Sequence, residues 1–355
     1  MKKKALLLCV IILIVSTLSV FAAGQRDVTV KKEGKTVVGV SLPWLGTQNW
    51  AEGNDMFKTE LAAAGFEPIV QQADNKVPIQ QQQIEAMMRS GAEIIVVAPI
   101  DGSQLGAILE DAAAAGVKVI AYDRLLENTT GIDCVVQFGS VKIGELQGQA
   151  LLNGLAEMKG KGPYNVELFG GGPADPNAPN FFKGAMKILQ PKIDDGTLVV
   201  VSGQTSFTQC ATLDWDSSKA MARMDTLLSG FYSNKEIHGV LSPNDSIARN
   251  IITACERAGQ KIPAISGLDA ENESIKWVWE GRQYSTVDKP TSVLVGKTIE
   301  IVKLMDAGEK LPAFDSMVHN GKKDVGIYEL TPVIVTKANI REVYANDPGR
   351  MAILK

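Results

Sequence analysis

Two charged side chains, Asp123 and Arg124, stand directly after an apolar run and could bind a neutral, polyhydroxylated ligand. A carboxylate only accepts hydrogen bonds and a guanidinium only donates them, whereas each hydroxyl of such a ligand does both. The apolar run, residues 117–122, is rich in β-branched residues and predicts a strand buried on both faces of a parallel sheet. Ligands of open α/β sheets bind at the carboxyl edge, where this pair would lie. An ion pair that only orders a loop is the alternative from these two residues alone.

Further polar and aromatic side chains follow the other predicted strands. Because carboxyl ends of parallel strands meet at one edge, a cleft between two such sheets would collect these side chains. Aromatic rings can cover the C–H face of a sugar, while charged groups bind its hydroxyls in hydrogen bonds worth about 1.5 to 3 kcal/mol each. Some candidates have an alternative to ligand binding: Asn177 and Asn244 could be helix N-caps, and the nearby aromatic Phe181 could be an ordinary core residue. These strand-end candidates are Trp44, Asn49, Trp50, Asp175, Asn177, Asn244, Asp269, Asp288 and Lys289.

Catalytic and metal-binding motifs are missing from the sequence. The two G-K-T triplets lack the glycine five positions earlier that a phosphate-binding loop requires. There is no G-x-S-x-G, no H-E-x-x-H and no metal-ligand spacing between the cysteines and the two histidines. We therefore predict a binding protein that is not an enzyme and has no cofactor or metal.

The N-terminus has the layout of a secretory signal peptide. Lysines at positions 2–4 precede an apolar stretch and a small-residue cleavage site ending at Ala22. We expect residues 1–22 to be a signal peptide, residues 23–35 a flexible lead-in, and the product to be periplasmic. Cleavage removes three lysines and no acid, which changes the net charge from −4 to −7 and argues against nucleic acid as a partner. Of Cys134, Cys210 and Cys255, at most two could form a disulfide; three buried thiols is the interpretation we favour.

Helices and strands alternate from Thr36 onward. Three amphipathic helices end at Gly65, Gly91 and Gly116, where a left-handed C-cap needs no Cβ, and a strand follows each. This order is typical of right-handed βαβ units in a parallel sheet. A second set of strands follows, and about 330 residues exceed what one core supports. We predict an α/β fold with an N-terminal lobe of residues 36–139 plus 291–323 and a C-terminal lobe of residues 140–290 plus 324–355.

Several segments resemble periplasmic monosaccharide-binding receptors of ABC importers, in the multiple-sugar and xylose-type branch with ribose receptors as cousins. They are VIAYDRL, NVELFGG, ATLDW, VLSPND, SGLDAE and YSTV, and the resemblance covers residues 37–343. It implies a type I periplasmic binding protein, with two Rossmann-like lobes joined by a three-stranded hinge. Such a monomer would capture an aldopentose or aldohexose, such as xylose, glucose or galactose, and deliver it to an ABC permease. The alternative is a receptor that presents the sugar to a chemoreceptor or sensor kinase.

The resemblance also implies roles for individual residues. Asp123 and Arg124 match the pair that holds ring and hydroxyl oxygens, and Trp50 matches a stacking aromatic. The positions implied to bind the ligand are Asn49, Trp50, Asp123, Arg124, Asn177, Phe181, Asn244, Asp269 and Lys289.

Three departures from the family pattern lie at or next to these positions. Asn49 stands where relatives often place Arg or Lys, Leu268 where Gln is common, and Pro176 replaces one Asn of an Asn-Asn pair. The identity of the sugar therefore does not follow from the resemblance.

Overall fold

Two mostly parallel β-sheets organise the chain in the computed structural model, which describes residues 34–355. The predicted signal peptide and most of the predicted lead-in lie outside the described residues. Residues 36–355 form one compact unit. The strands are β1 (Val37–Leu42), β2 (Glu67–Gln72), β3 (Ile94–Val97), β4 (Lys118–Tyr122), β5 (Cys134–Phe138), β6 (Tyr164–Leu168), β7 (Leu198–Val200), β8 (Gly239–Leu241), β9 (Ala264–Ile265), β10 (Ser285–Asp288), β11 (Ser316–His319), β12 (Asp324–Leu330) and β13 (Val333–Thr336).

Helices connect most of these strands and cover both faces of each sheet. No helix among residues 34–355 is long and apolar enough to cross a membrane. The helices are α1 (Gln48–Ala63), α2 (Val77–Arg89), α3 (Gly106–Ala114), α4 (Ser140–Lys159), α5 (Asn177–Asp194), α6 (Phe207–Cys210), α7 (Ser217–Phe231), α8 (Asp245–Arg257), α9 (Asn272–Glu280), α10 (Thr291–Asp306), α11 (Ile340–Val343) and α12 (Pro348–Ile353), with a 3₁₀ turn at Leu213–Trp215.

The first sheet has the strand order β11-β12-β5-β4-β3-β1-β2, and only β11 runs antiparallel to its neighbour. Its inner strands are buried on both faces, as their β-branched runs predict. Phe57 of α1 and Leu294 of α10 pack on one face, and Ile84 of α2 packs on the other. The predicted C-cap glycines Gly65, Gly91 and Gly116 have φ of +97°, +80° and +83°, which confirms their left-handed conformation.

The second sheet has the parallel order β7-β6-β8-β9, and β10 pairs antiparallel with β13 beside it. The amide of Val287 in β10 donates to Gly267 O over 3.1 Å, which joins the two groups of strands. Helices α4 and α5 cover one face of this sheet, and α7 and α8 cover the other. Each sheet is thus covered by its own set of helices, which gives the two predicted lobes.

The chain crosses between the two sheets at three points within the described residues. These are the connections from β5 to α4, from β10 to α10 and from β12 to β13. One predicted lobe boundary is wrong: residues 324–330 were assigned to the C-terminal lobe, but β12 pairs in parallel with β5 of the first sheet. The third crossing lies instead at Thr331 and Pro332, because a proline cannot donate a ladder hydrogen bond and ends the strand.

The three cysteines of the described chain, Cys134, Cys210 and Cys255, are free and buried. Burial raises the pKa of the Cys134 and Cys255 thiols to about 12 and that of Cys210 to about 11. The favoured interpretation of three buried thiols is confirmed.

Candidate functional site

All nine residues predicted to bind a ligand line one cavity between the two lobes. The empty space in and in front of this cavity amounts to about 400 Å³, a figure that includes open solvent. Strand ends and helix starts of both lobes supply its walls, as expected at the carboxyl edges of parallel sheets. The lining residues are Trp44, Thr47, Asn49, Trp50, Asp123, Arg124, Asp175, Asn177, Phe181, Trp215, Asn244, Leu268, Asp269 and Lys289.

Local backbone geometry aims the two acidic strand-end residues into the cavity. Asp123 directly follows β4 and has a φ of +63°, while Asp269 follows β9 with a φ of +91°. Such left-handed conformations are uncommon outside glycine, but Asp adopts them more readily than most residues. They turn the chain sharply at the sheet edge.

Lys289 connects the two acidic residues. Its Nζ lies 3.2 Å from Asp123 Oδ1 and 3.5 Å from Asp269 Oδ1, and all three side chains are nearly buried. Burial by itself lowers the pKa of Lys289, but Asp123 and Asp269 more than offset this and raise the pKa above its usual value. Burial raises the pKa of Asp269 to about 6, although Lys289 partly opposes the shift.

Arg124 pairs with Asp175 of the second lobe rather than with its neighbour in the sequence. Its Nε lies 2.9 Å from Asp175 Oδ2, although the N–H is not aligned for a hydrogen bond. One terminal nitrogen donates to Pro99 O over 3.0 Å, and the guanidinium carbon lies 5.2 Å from the centroid of the Trp50 ring. The alternative of an ion pair between Asp123 and Arg124 is therefore wrong, because each is paired elsewhere.

Asp175 also orients two other lining residues. Its Oδ1 accepts a hydrogen bond of 2.9 Å from the backbone N–H of Asn177, and its Oδ2 accepts one of 3.1 Å from Trp215 Nε1. Burial raises the pKa of Asp175, and Arg124 partly lowers it again. One carboxylate thus holds a cation, a helix start and an aromatic ring in place.

The two asparagines differ in their structural roles. Asn244 caps α8, since its Oδ1 accepts from Ile247 N over 3.0 Å, so the N-cap alternative is confirmed; its amide NH₂ can still serve a ligand. Asn177 is the first residue of α5 and not its cap. Its Nδ2 donates to Asp123 O over 2.8 Å, which joins the two lobes inside the cavity.

Aromatic rings from both lobes border the cavity. Trp50 comes from the first lobe, and Phe181 and Trp215 from the second pack edge to face with centroids 6.4 Å apart. Phe181 is also part of the core, so the core alternative and the cavity position both hold. A Cβ at Gly171 would lie 2.2 Å from the Trp215 ring, so this glycine leaves the space that the ring occupies.

Five lining residues were not among the predicted ligand-binding residues. Trp44 and Asp175 were recognised only as strand-end candidates, and Leu268 only as a departure from the family pattern. Trp215 ends the ATLDW segment of the family resemblance, which was the available signal, whereas no sequence signal marks Thr47. No cluster of side chains in the described part of the chain could hold a metal ion. The polar groups of the cavity are two cations, three carboxylates and several amides. Such a set can bind several hydroxyl groups of an uncharged ligand.

Two α/β lobes that enclose a ligand cavity and are joined at three crossings define a type I periplasmic binding protein fold. The sequence profile of the family described as "Periplasmic binding protein domain" matches residues 38–310. The chain belongs to this family, which is one of substrate-binding receptors rather than of enzymes.

Named relatives match the chain over most of its length. The multiple sugar-binding periplasmic receptor ChvE of Rhizobium radiobacter is 40% identical over 315 residues, which are 87% of this chain and 89% of that protein. The D-xylose-binding periplasmic protein of Escherichia coli strain K12 is 33% identical over 312 residues, again 87% of this chain and 89% of the relative.

Solved structures share the fold. An ABC transporter solute-binding protein from Clostridium phytofermentans with bound β-D-glucose superposes with a TM-score of 0.85 at 32% identity, over 90% of this chain and 100% of that one. A carbohydrate transporter solute-binding protein from Chloroflexus aurantiacus in complex with D-glucose gives 0.80 at 30% identity, over 88% and 96%.

Proposed function

We propose that this protein is a periplasmic receptor that captures one monosaccharide in the interlobe cavity and delivers it to an ABC permease. The observation that carries the proposal is the convergence of buried, paired charges and aromatic rings from both lobes on a single cavity. The relatives support the proposal, because two of them are named as sugar-binding proteins and two solved structures contain bound glucose.

The charge pattern supports a neutral, hydroxyl-bearing ligand. Asp123, Asp175 and Asp269 share two cations, Arg124 and Lys289, so an anionic ligand would add a further buried negative charge without a partner. Hydroxyls can add hydrogen bonds to both members of each ion pair without changing the charge balance. The rings of Trp50 and Trp215 offer apolar surface for the C–H face of a pyranose.

Closure of the two lobes is the mechanism that we propose. Asp123 and Arg124 belong to the first lobe, while Asp175 and Asn177 belong to the second, and contacts between the two sets exist only when the lobes are close. A sugar that bridges both sets would bind the closed form more tightly than the open form, and this difference in affinity drives closure.

The finer assignments follow from the family resemblance. We propose that the ligand is an aldopentose or aldohexose such as xylose, glucose or galactose, and that the protein acts as a periplasmic monomer without enzymatic activity or a cofactor. Presentation of the sugar to a chemoreceptor or sensor kinase is compatible with the same site, because the loaded closed form would be the signal in either case.

A thermal-shift screen against aldopentoses, aldohexoses and an acyclic hexitol tests this proposal. A ligand at 100 times its dissociation constant adds about 2.7 kcal/mol of stability, so a matching aldose should raise the Tm clearly, while the hexitol should not. Isothermal titration calorimetry then gives the stoichiometry, for which we expect one sugar per chain, and chromatography should recover the sugar unchanged. Failure of every aldose to raise the Tm, or turnover of the sugar, would contradict the proposed function.

A further inference from the structure

A side chain outside the ligand cavity crosses the mouth of the cleft and caps a helix of the other lobe. Gln48 begins α1 of the first lobe, and its Oε1 accepts a hydrogen bond of 2.8 Å from the backbone amide of Asn272, the first residue of α9 in the second lobe. Gln48 does not line the cavity, although the next residue, Asn49, does. The contact therefore joins the lobes without touching the ligand site.

Helix α9 lacks a side-chain cap from its own lobe. The first amides of a helix have no partner within the helix, and the residue before it normally supplies an oxygen. Here that residue is Glu271, which provides no cap, because its carboxylate is engaged by Arg249. Gln48 supplies the missing acceptor from across the cleft.

The Gln48 amide is held in the orientation that capping requires. Its Nε2 donates to Glu52 Oε1 over 2.6 Å, one turn further along α1. With the NH₂ group bound to its own helix, the carbonyl oxygen is free to accept from the other lobe. Glu52 thus positions Gln48 for the contact.

Other polar contacts across the mouth are longer. Gly102 N donates to Ala174 O over 3.3 Å, and Asn75 Nδ2 donates to Asp214 O over 3.5 Å. Distances beyond about 3.2 Å exceed the usual range for N–H···O bonds. The Gln48–Asn272 contact is the best formed of the three.

We propose that Gln48 is a positioning residue that sets ligand affinity through the closed state, by capping α9 only when the lobes are together. The proposal rests on the proposed function in one respect, namely that a sugar is trapped by closure. Because the hydrogen bond exists only in the closed form, its loss shifts the equilibrium toward the open form. The apparent affinity for the sugar falls by the factor by which the closed form becomes less favourable. For one hydrogen bond of this kind that factor is about three- to tenfold.

The test uses the Gln48→Met variant, which keeps the length of the side chain but removes the acceptor. Spin labels on cysteines introduced at the exposed positions Thr59 and Lys276 report the distance between α1 and α9 in the ligand-free protein. Gln48→Met should shift the distance distribution toward longer values. The best sugar of the thermal-shift screen should also dissociate three- to tenfold faster from this variant.

Two further variants distinguish capping from a general effect on the helix. In the double variant Gln48→Glu with Glu52→Gln, residue 48 can again accept from Asn272 N and residue 52 can donate to residue 48. The distance between the spin labels and the sugar dissociation rate should therefore return toward the original values. Lys58→Ala, at an exposed position on the same helix, should change neither. An unchanged distance distribution in Gln48→Met overturns the capping role whatever the sugar does. Absence of sugar binding by the original protein contradicts the proposed function instead, and the ligand-free distances still decide the role of Gln48.

Discussion

The indole N–H of Trp215 donates to Asp175 Oδ2 over 3.1 Å, and the same oxygen lies 2.9 Å from Arg124 Nε. Trp215 and Asp175 both belong to the second lobe, whereas Arg124 belongs to the first. One buried carboxylate oxygen therefore connects an aromatic wall of the cavity to the cation on the opposite wall. The position of the ring and the electrostatics of the site are coupled, and each can be tested separately.

Replacement of Arg124 by Ala should weaken sugar binding by about 30- to 1000-fold, corresponding to 2 to 4 kcal/mol. The variant leaves the buried carboxylate of Asp175 without its cation and removes the guanidinium that lies against Trp50. Calorimetry measures the affinity, and circular dichroism checks the fold. Arg89→Ala, which removes the same charge from an exposed position, should bind like the original protein. Equal affinities of the Arg124 and Arg89 variants would exclude Arg124 from the site.

The Trp215→Phe variant separates the hydrogen bond of the indole from the apolar surface of its ring. It keeps an aromatic side chain beside Phe181 but removes the donor to Asp175, so affinity should fall by about 1 kcal/mol, or roughly fivefold. The change in tryptophan fluorescence on sugar binding should also decrease. Trp279→Phe is the control, since Trp279 lies on α9 against Lys337 and Arg341, away from the cavity. A fluorescence response that falls equally in both variants would contradict a special position for Trp215.

Local patterns in the sequence were sufficient to predict the lobes and the edge at which the site lies. Gly65 and Gly91 marked helix ends, and the β-branched runs marked the buried strands. The partner of β12 could not be predicted in the same way, because strand pairing depends on residues nearly two hundred positions apart, such as Tyr328 and Val136. Pro332 was the local sign that residues 324–336 form two strands rather than one.

Within the site, residue types were easier to predict than pairings. Asp123 and Arg124 are adjacent in the chain, but the left-handed backbone at Asp123 turns the chain sharply, and the two side chains reach Lys289 and Asp175 instead. Asp175 lay among the strand-end candidates, yet nothing local distinguishes a carboxylate that orients three neighbours from one that caps a turn. The distinction depends on tertiary contacts, because Trp215 reaches Asp175 from elsewhere in the same lobe and Arg124 reaches it from the other lobe.

Close packing of α4 and α5 behind the cavity should make Gly144 intolerant of a side chain. A Cβ at Gly144 would lie 1.9 Å from the backbone oxygen of Phe181, so the helices must separate in Gly144→Ala. We expect a loss of about 1 to 3 kcal/mol in the free energy of unfolding and weaker sugar binding, because Phe181 moves with α5. Gly230→Ala is the matched control, since a Cβ at Gly230 near the end of α7 meets nothing within 4 Å. It should be neutral or stabilising by up to about 1 kcal/mol, and similar stabilities of the two variants by chemical denaturation would contradict close helix packing.

The raised pKa of Asp269 predicts a specific pH dependence of stability in the ligand-free protein. Its pKa is about 6 in the folded state because of burial, against an ordinary value of 3.8 in the unfolded chain. Between these two values the folded state binds more protons than the unfolded state, so this group's contribution to the free energy of unfolding decreases as pH rises. The contribution is fully present below about pH 4 and is lost above about pH 6, with a size on the order of 1 to 3 kcal/mol.

Asp269→Asn isolates this contribution, because an amide has a similar shape and does not titrate in this range. Burial also raises the pKa of Asp175 and Asp288, but these carboxyls are present in both proteins and their effects largely cancel in the difference. Urea denaturation at several pH values from about 4 to 7 should therefore show the variant gaining stability relative to the original protein as pH rises. A difference between the two proteins that stays constant over this range would contradict the raised pKa of Asp269. With saturating sugar the difference should shrink, because hydroxyl donors to the charged carboxylate lower its pKa again.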